Sequence, residues 1–585
     1  MSTEADVTQR SYALRIVWGL RSMHSGAIGS ASEAIHNYME ALVEKLKSLV
    51  GADAVVGGAY AGVDLGPCTT GVRRSIAAVV FPSDSSQVTQ IVKLAGEQGV
   101  PIYPVSTGRN WGYGINPVID GCIVLNLSRL KHIIEPIDRI TGLITVEPGV
   151  TQGDLAEFLE RERLPFLVPT TGAGPSASII GNALERGHGI TPISDHFAAV
   201  IGIEAVLPDG TIYRSPCVAM GALSGGHAYK WGIGPYVDGL FAQGGFGVVT
   251  KMTLALARRP ESIKAFVCSI APESTLEEAI SAVQNVVRSL PGVVGGINVM
   301  NAHRVLSMAA PYPTDRLGPD GLIPEALLAE LTARYRVAPW TVFGTLYGTK
   351  RVVAAAQKEV RSYLAPLASR LTFVSPETAA LLKRIVRTVP IVRERLGRTA
   401  ATLSASMTLV SGRPNQTALP VCYWKSGRPV DLEVPLDPAR DGCGLIWYAP
   451  LVEMKPTTVR RFVDMIVDVM PRHGFEPLLT LISLSERCFV TAVPVLFNLK
   501  SVDETAAAQQ CHSALLDAGA KQGFFPYRVG GQSMDWLMST APDHWRLVSR
   551  LKQAIDPKGI IAPGRYAPVA PSQSERTSFA EGSSL

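Results

Sequence analysis

Three glycine-rich segments, each following a predicted strand, constrain this chain more than any other feature, because they expose backbone rather than side chain. The first runs Pro104-Val-Ser-Thr-Gly-Arg-Asn-Trp-Gly-Tyr-Gly114. Its glycines at 108, 112 and 114 permit positive φ and close backbone approach. Successive N–H groups in such a turn form a concavity that holds phosphate oxygens. Ser106, Thr107 and Asn110 add side-chain donors, and Arg109 adds charge. No Gly-Lys pair followed by Ser or Thr is present, so this is not a Walker loop. No helix begins on it, so it is not the dinucleotide fingerprint either. The second segment is Pro169-Thr-Thr-Gly-Ala-Gly-Pro-Ser-Ala-Ser-Ile-Ile-Gly-Asn182, and the third is Gly244-Gly-Phe-Gly-Val-Val-Thr250. Three backbone-exposing loops at separate strand ends point to one long ligand with a pyrophosphate in its middle.

At 585 residues, the chain has room for two to four domains of roughly 150 residues each. A hydrophobic fraction of 46% with 18% charged residues excludes disorder for the bulk of it. The net charge of +5 is small, and no basic run carries interleaved aromatics, which argues against nucleic acid as a partner. Eight cysteines occur without a Cys-x-x-Cys pair, so free thiols are expected, with neither a disulfide framework nor a metal site. The N-terminus lacks the basic start and apolar core of a signal peptide. No apolar run approaches the roughly 20 residues of a membrane span. A soluble, cytoplasmic protein with no membrane partner is expected.

From about residue 73, strands alternate with helices in an α+β layout. Ile76–Phe81 reads as a buried strand. Ser85 or Ser86 is expected to cap a helix carrying Val88, Ile91, Val92 and Ala95 on one face, and Gly99 to stop it. Helical texture returns at 275–290, 457–473, 503–519 and 543–555. Ahead of all this, Met39, Leu42, Val43, Leu46 and Val50 give residues 1–55 a helical extension with one sticky face. That face packs on the body or mediates a homo-oligomer.

The chain resembles the vanillyl-alcohol oxidase / p-cresol methylhydroxylase flavoproteins. The resemblance rests on the Ser106–Gly114 loop, Val146-Glu-Pro-Gly149, Gly181-Asn-Ala-Leu-Glu-Arg-Gly187, Trp231-Gly-Ile-Gly-Pro-Tyr236, Gly247-Val-Val-Thr-Lys251 and Asp556-Pro-Lys-Gly-Ile-Ile-Ala-Pro-Gly-Arg565, in that order. It implies a two-domain fold. An FAD-binding domain comprises 56–262 and is completed by 496–566. A cap with an antiparallel sheet spans 263–495, and 567–585 is a tail. By the resemblance, Ser106, Thr107, Gly108, Arg109 and Asn110 hold the FAD pyrophosphate, and Gly112 belongs to the cofactor-binding set. Pro169, Thr170, Thr171, Gly172, Gly174, Ser178, Gly181, Asn182, Glu204, Gly247 and Val249 line the cofactor. Arg565 sits near the N1–C2=O edge of the flavin, where positive charge stabilises the reduced form.

In the phenol-oxidising branch of that family, two tyrosines and an arginine bind a phenolate. Tyr113, Tyr527 and Arg528 match those positions, which implies a small phenolic substrate and a para-quinone methide product. Hydration, elimination or oxidative decarboxylation then follows, with O2 or a redox protein reoxidising the flavin. Two departures stand out. The aspartate of family alcohol oxidases is missing from Val168-Pro-Thr-Thr-Gly172, and His188 stands where relatives carry an apolar residue. His188 is therefore expected to take the acid/base role. The strand Cys443–Pro450 has no His to tether the flavin, so non-covalent FAD is expected, with Tyr448 the fallback tether. Alternatives are an oxidase of a non-phenolic alcohol and a non-catalytic flavin-binding protein.

Overall fold

The computed structural model describes residues 28–57, 68–134, 138–221, 228–388, 390–427 and 430–568. The expectations for the extreme N-terminus and for the tail from 569 fall outside these residues. The fold is α+β, as expected, and is built on three main sheets.

The first sheet orders Val55–Val56, Ile76–Val80, Cys122–Asn126 and Ile102–Val105, parallel except for its short first strand. A parallel strand covered on both faces must be apolar throughout, and Ile76–Val80 is buried at every position. The helix Ser85–Gln98 covers it with Val88, Ile91, Val92 and Ala95, and Gly99 closes that helix at φ 66°. Its cap is Asp84, not Ser85 or Ser86. The Asp84 carboxylate accepts the Gln87 N–H at 2.9 Å, and a full negative charge there also complements the helix dipole. The N-terminal helix Ile28–Val50 places Leu42, Val43 and Leu46 in the same core. Burying an aliphatic side chain is worth roughly 1.5–3 kcal/mol, so this face is spent on the body.

The second sheet is antiparallel, in the order Ile133–Ile134, Leu143–Val146, Val248–Ala255, Val200–Val206, Ile212–Arg214. The third has eight antiparallel strands, running from Ala368–Val374 at one edge through Ser262–Ile270, Trp340–Gly348, Asn298–Asn301, Thr480–Ser483 and Cys488–Asn498 to Cys443–Tyr448, with Leu451–Glu453 also paired to Cys488–Asn498. Helices Leu276–Ser289, Lys350–Leu364 and Pro456–Arg472 cover one of its faces. The helix Val502–Gln522, expected in the segment completing the first domain, packs on this third sheet instead, through Ala508, Cys511, Leu515 and Leu516.

The chain end then returns to the first sheet. Ile102 donates its N–H to the Ile560 carbonyl at 2.7 Å, and Ala562 donates to the Ile102 carbonyl at 2.7 Å. Buried Lys552 locks this return by donating to the Ile561 carbonyl at 2.7 Å and to Asp556 at 2.6 Å. Asp556 in turn accepts the Ile560 and Ile561 N–H groups, each at 2.8 Å. No disulfide joins any of the cysteines. No helix among the described residues is long and apolar enough to cross a membrane.

Candidate active site

A cavity of about 430 Å³ opens between the first two sheets and the bare face of the third. Strand alternation decides which side chains reach it. Leu445, Trp447 and Ala449 border the cavity, while Ile446 and Tyr448 point into the opposite core. Tyr448 is fully buried there and donates to the Phe524 carbonyl at 3.1 Å. The structure therefore withdraws Tyr448 from the cavity and removes it as a flavin tether.

One wall is rich in backbone donors. Ser106, Thr107, Gly108, Arg109 and Asn110 all border the cavity. The N–H groups of Thr107, Gly108 and Arg109 find no acceptor among the described residues. Unsatisfied donors converging on one turn suit a diphosphate. The side chains are mostly committed elsewhere. Thr107 Oγ1 accepts the Ser178 N–H at 3.1 Å, Asn110 donates to the Gly114 carbonyl at 3.1 Å, and Arg109 forms an ion pair with Asp437.

Thr171, Gly172, Ser178, Gly181, Asn182, Gly247 and Val249 border the same space. Ser178 uses its hydroxyl as a helix cap, accepting the Gly181 N–H at 3.0 Å. A Cβ at Gly181 would lie 2.3 Å from Ser106 Oγ, so only glycine lets the two loops meet. Gly112, Pro169, Thr170, Gly174 and Glu204 do not border the cavity. Gly112 instead seats the loop against the third sheet, where a Cβ would lie 2.2 Å from Trp447 Cδ1. Thr170 donates to the Leu409 carbonyl at 3.0 Å. Glu204 is held on its sheet by Arg214 at 2.9 Å and Lys251 at 2.8 Å.

Tyr113 and the adjacent Tyr527 and Arg528, 414 positions further along the chain, are brought together at the cavity. Tyr527 is placed by donating its N–H to the Ala449 carbonyl at 3.2 Å. The Arg528 guanidinium lies 3.8 Å from the Tyr113 ring centroid and 5.7 Å from that of Tyr527. Tyr113 and Arg528 both act electrostatically on Tyr527. Burial raises the Tyr527 pKa, against the lowering pull of Arg528, so it stays a hydroxyl donor. Burial opposes the Arg528 charge, but Tyr527, Tyr113 and Glu185 outweigh it and raise its pKa. Arg528 Nε is buried without a hydrogen-bond partner.

His188 also borders the cavity, its ring centroid 5.2 Å from that of Tyr527. Its Nδ1 lies 3.1 Å from the Arg186 carbonyl. A ring nitrogen facing a carbonyl must be the donor, so the lone pair of the neutral ring sits on Nε2. Burial lowers the His188 pKa; Asp195 opposes this and Arg528 adds to it. Arg565 borders the cavity too, paired with Glu185 at 2.7 Å. Sequence reasoning assigned no role to Glu185, although a lone acid amid the small residues of the 181–187 motif was a usable signal. It also passed over Trp447, Gln243 and Arg304, which sit in ordinary strand, loop and helix contexts and are brought to the cavity by tertiary packing.

Comparison with known proteins agrees with this geometry. Residues 76–215 match the FAD binding domain family. The chain is 32% identical to 1'-carboxy-chondrochloren decarboxylase of Chondromyces crocatus, over 85% of this chain and 92% of that one. It is 28% identical to the 4-cresol dehydrogenase (hydroxylating) flavoprotein subunit of Pseudomonas putida, over 89% of this chain and 94% of that one. The crystal structure of p-cresol methylhydroxylase with substrate bound superposes with a TM-score of 0.80 at 25% identity, covering 91% of this chain and 97% of that one. The chain belongs to the vanillyl-alcohol oxidase / p-cresol methylhydroxylase family of FAD-dependent oxidoreductases.

Proposed function

We propose that this enzyme oxidises a para-substituted phenol at its benzylic carbon, through a para-quinone methide. The observation that carries the reading is the buried, unpartnered Nε of Arg528 beside the rings of Tyr113 and Tyr527. The backbone of Thr107–Arg109 would hold the FAD diphosphate, with Gly172, Gly181, Gly247 and Val249 along the cofactor and Arg565 at its electron-rich edge. Bound FAD supplies the two-electron acceptor that takes the benzylic hydride.

A phenol ionises at a pKa of about 10 in water. A guanidinium and two hydroxyl donors in a water-poor cavity stabilise the oxyanion and lower that value. The phenolate then feeds electron density into the ring and weakens the para-benzylic C–H. His188 Nε2 is placed to accept or return a proton on the substrate. With no carboxylate in the Val168–Gly172 loop, we assign the later step to elimination or loss of CO2 rather than hydration. In the CO2 route, the bond to the carboxylate breaks, its electron pair forms the new C=C bond, and the ring recovers its phenolate. The two relatives named above act by hydroxylation and by decarboxylation, so both fates occur in chains of this kind.

Anaerobic titration of the holoenzyme with 4-ethylphenol tests the reading. Bleaching of the flavin by phenols is expected. Bleaching by non-phenolic alcohols alone would instead favour an alcohol oxidase, and a silent spectrum a flavin carrier. His188→Gln is expected to slow turnover by roughly 100-fold, the lower end for general acid–base catalysis. Because burial lowers the His188 pKa, the neutral base persists as pH falls, and the acid limb of the rate profile lies below pH 6.5. That limb should vanish in the variant; a retained limb would assign the proton transfer elsewhere. FAD is held without a covalent link in this reading, so acid precipitation should leave a colourless pellet and a yellow supernatant.

A further inference from the structure

The cavity wall carries four guanidinium groups, and two of them are ion-paired among the described residues. Arg109 pairs with Asp437, Arg565 pairs with Glu185, and Arg528 lies against two tyrosines. Arg304 differs. It reaches the cavity from the helix Ala302–Ala309, whose Leu306 is packed with Val421, Cys422 and Leu445. Its guanidinium makes a single side-chain hydrogen bond among the described residues, from Nη1 to Ser307 Oγ at 2.9 Å. The ionisable group beside it is the Cys422 thiol, which burial pushes up to about 12 and so keeps neutral. Burial lowers Arg304 itself only to about 10, so it remains a cation at neutral pH. Arg304 is half-buried, and a cation without a counter-charge in a cleft marks a place where a ligand supplies one.

We propose that Arg304 binds a carboxylate on the side chain of the substrate, which makes the cavity selective for phenolic acids. The inference rests on the phenol reading above and narrows its substrate class. Two anions present themselves: the substrate carboxylate and the cofactor diphosphate. The diphosphate has its own donors in the Thr107–Arg109 turn on the first-sheet wall. Arg304 comes from the third-sheet wall, which also presents Trp447, Ile482 and Val490. The lining also includes the apolar Leu419 and Val421, and a low-polarity wall strengthens a guanidinium–carboxylate pair. A substrate held by Arg528 at its ring oxygen and by Arg304 at its side chain has one orientation, with the benzylic carbon between the two. The ion pair stabilises the carboxylate itself, so Arg304 acts on binding and placement rather than on bond cleavage.

The test compares 3-(4-hydroxyphenyl)propanoate with its primary amide, which has the same shape without the charge. Binding to the oxidised holoenzyme is read by calorimetry and by the flavin spectrum, and FAD content is measured alongside. Wild type should favour the acid by roughly 10- to 100-fold, the worth of a charge-assisted pair. Arg304→Met should abolish that preference and leave the amide unaffected. Arg304→Lys, which keeps the charge, should retain part of it and guards against a folding artefact. Equal loss for acid and amide, or loss of FAD with the preference intact, would overturn the proposal, the latter in favour of the diphosphate. If neither phenol binds wild type, 3-phenylpropanoate separates the two readings. Arg304-dependent binding of that acid keeps the anion site while the phenol reading falls, and no binding overturns both.

Discussion

Arg528→Met is expected to slow flavin bleaching by 4-ethylphenol by about 100- to 1000-fold, the loss typical of removing one donor from a preorganised oxyanion site. The loss should be chemical rather than structural. Arg528 is a half-buried cation whose buried Nε has no partner, with no carboxylate in ion-pair contact among the described residues. Exchanging such a charge for an apolar side chain of similar length is commonly neutral for stability. Thermal unfolding and FAD content should therefore stay near wild type. Tyr113→Phe and Tyr527→Phe each remove a neutral donor and should cost less, since a hydrogen bond involving a charge is worth about 1.5–3 kcal/mol against about 1 kcal/mol for a neutral one. The pH at which bound substrate ionises should rise in all three. An Arg528→Met variant that still bleaches at the wild-type rate would remove the clamp from the mechanism.

The second large effect concerns the Glu185–Arg565 pair. The Arg565 side chain is only 8% exposed and that of Glu185 22%. Glu185→Gln leaves a buried guanidinium without its carboxylate, which should cost about 3 kcal/mol of stability. The same change should raise the flavin midpoint potential, because the unbalanced positive charge favours the electron-rich reduced cofactor. Arg565→Met should lower it. The shifts are expected on the order of 50 mV, since about 30 mV corresponds to 1.4 kcal/mol for a two-electron couple. Opposite signs in the two variants are the diagnostic result. Shifts of the same sign, or none, would place Arg565 away from the reacting end of the flavin. Glu185 also has a buried, unpartnered Oε2, so the carboxylate has capacity left for a ligand donor.

Much of the first sheet was legible because local rules and tertiary packing agree there. Ile76–Val80 is a continuous apolar run, and a fully covered parallel strand requires one. Gly99 ends its helix in the left-handed conformation that its residue type favours. The cap was misread by one residue because Asp84, Ser85 and Ser86 all carry capping side chains, and only the entry angle of the chain selects among them. The glycine loops were legible as backbone-exposing turns, but the fate of their side chains was not. Asn110 and Ser178 look like ligand donors in sequence, yet they spend their polar atoms on holding the loops in shape.

Tyr448 and Trp447 show where the linear reading ran out. They are adjacent in one strand, and the pleat sends one into the core and the other into the cavity. Which face is which depends on what the sheet packs against, and that information lies in other segments. The same holds for Arg304, whose helix is unremarkable until the third sheet turns it inward.

By itself, the sequence determined the family, the α+β class and the cofactor, because those are carried by residue types at ordered positions. Only the tertiary structure decided which charges are paired, which strand face is wet and which cation is left over. Those are properties of distances between segments hundreds of residues apart, and no local pattern encodes them.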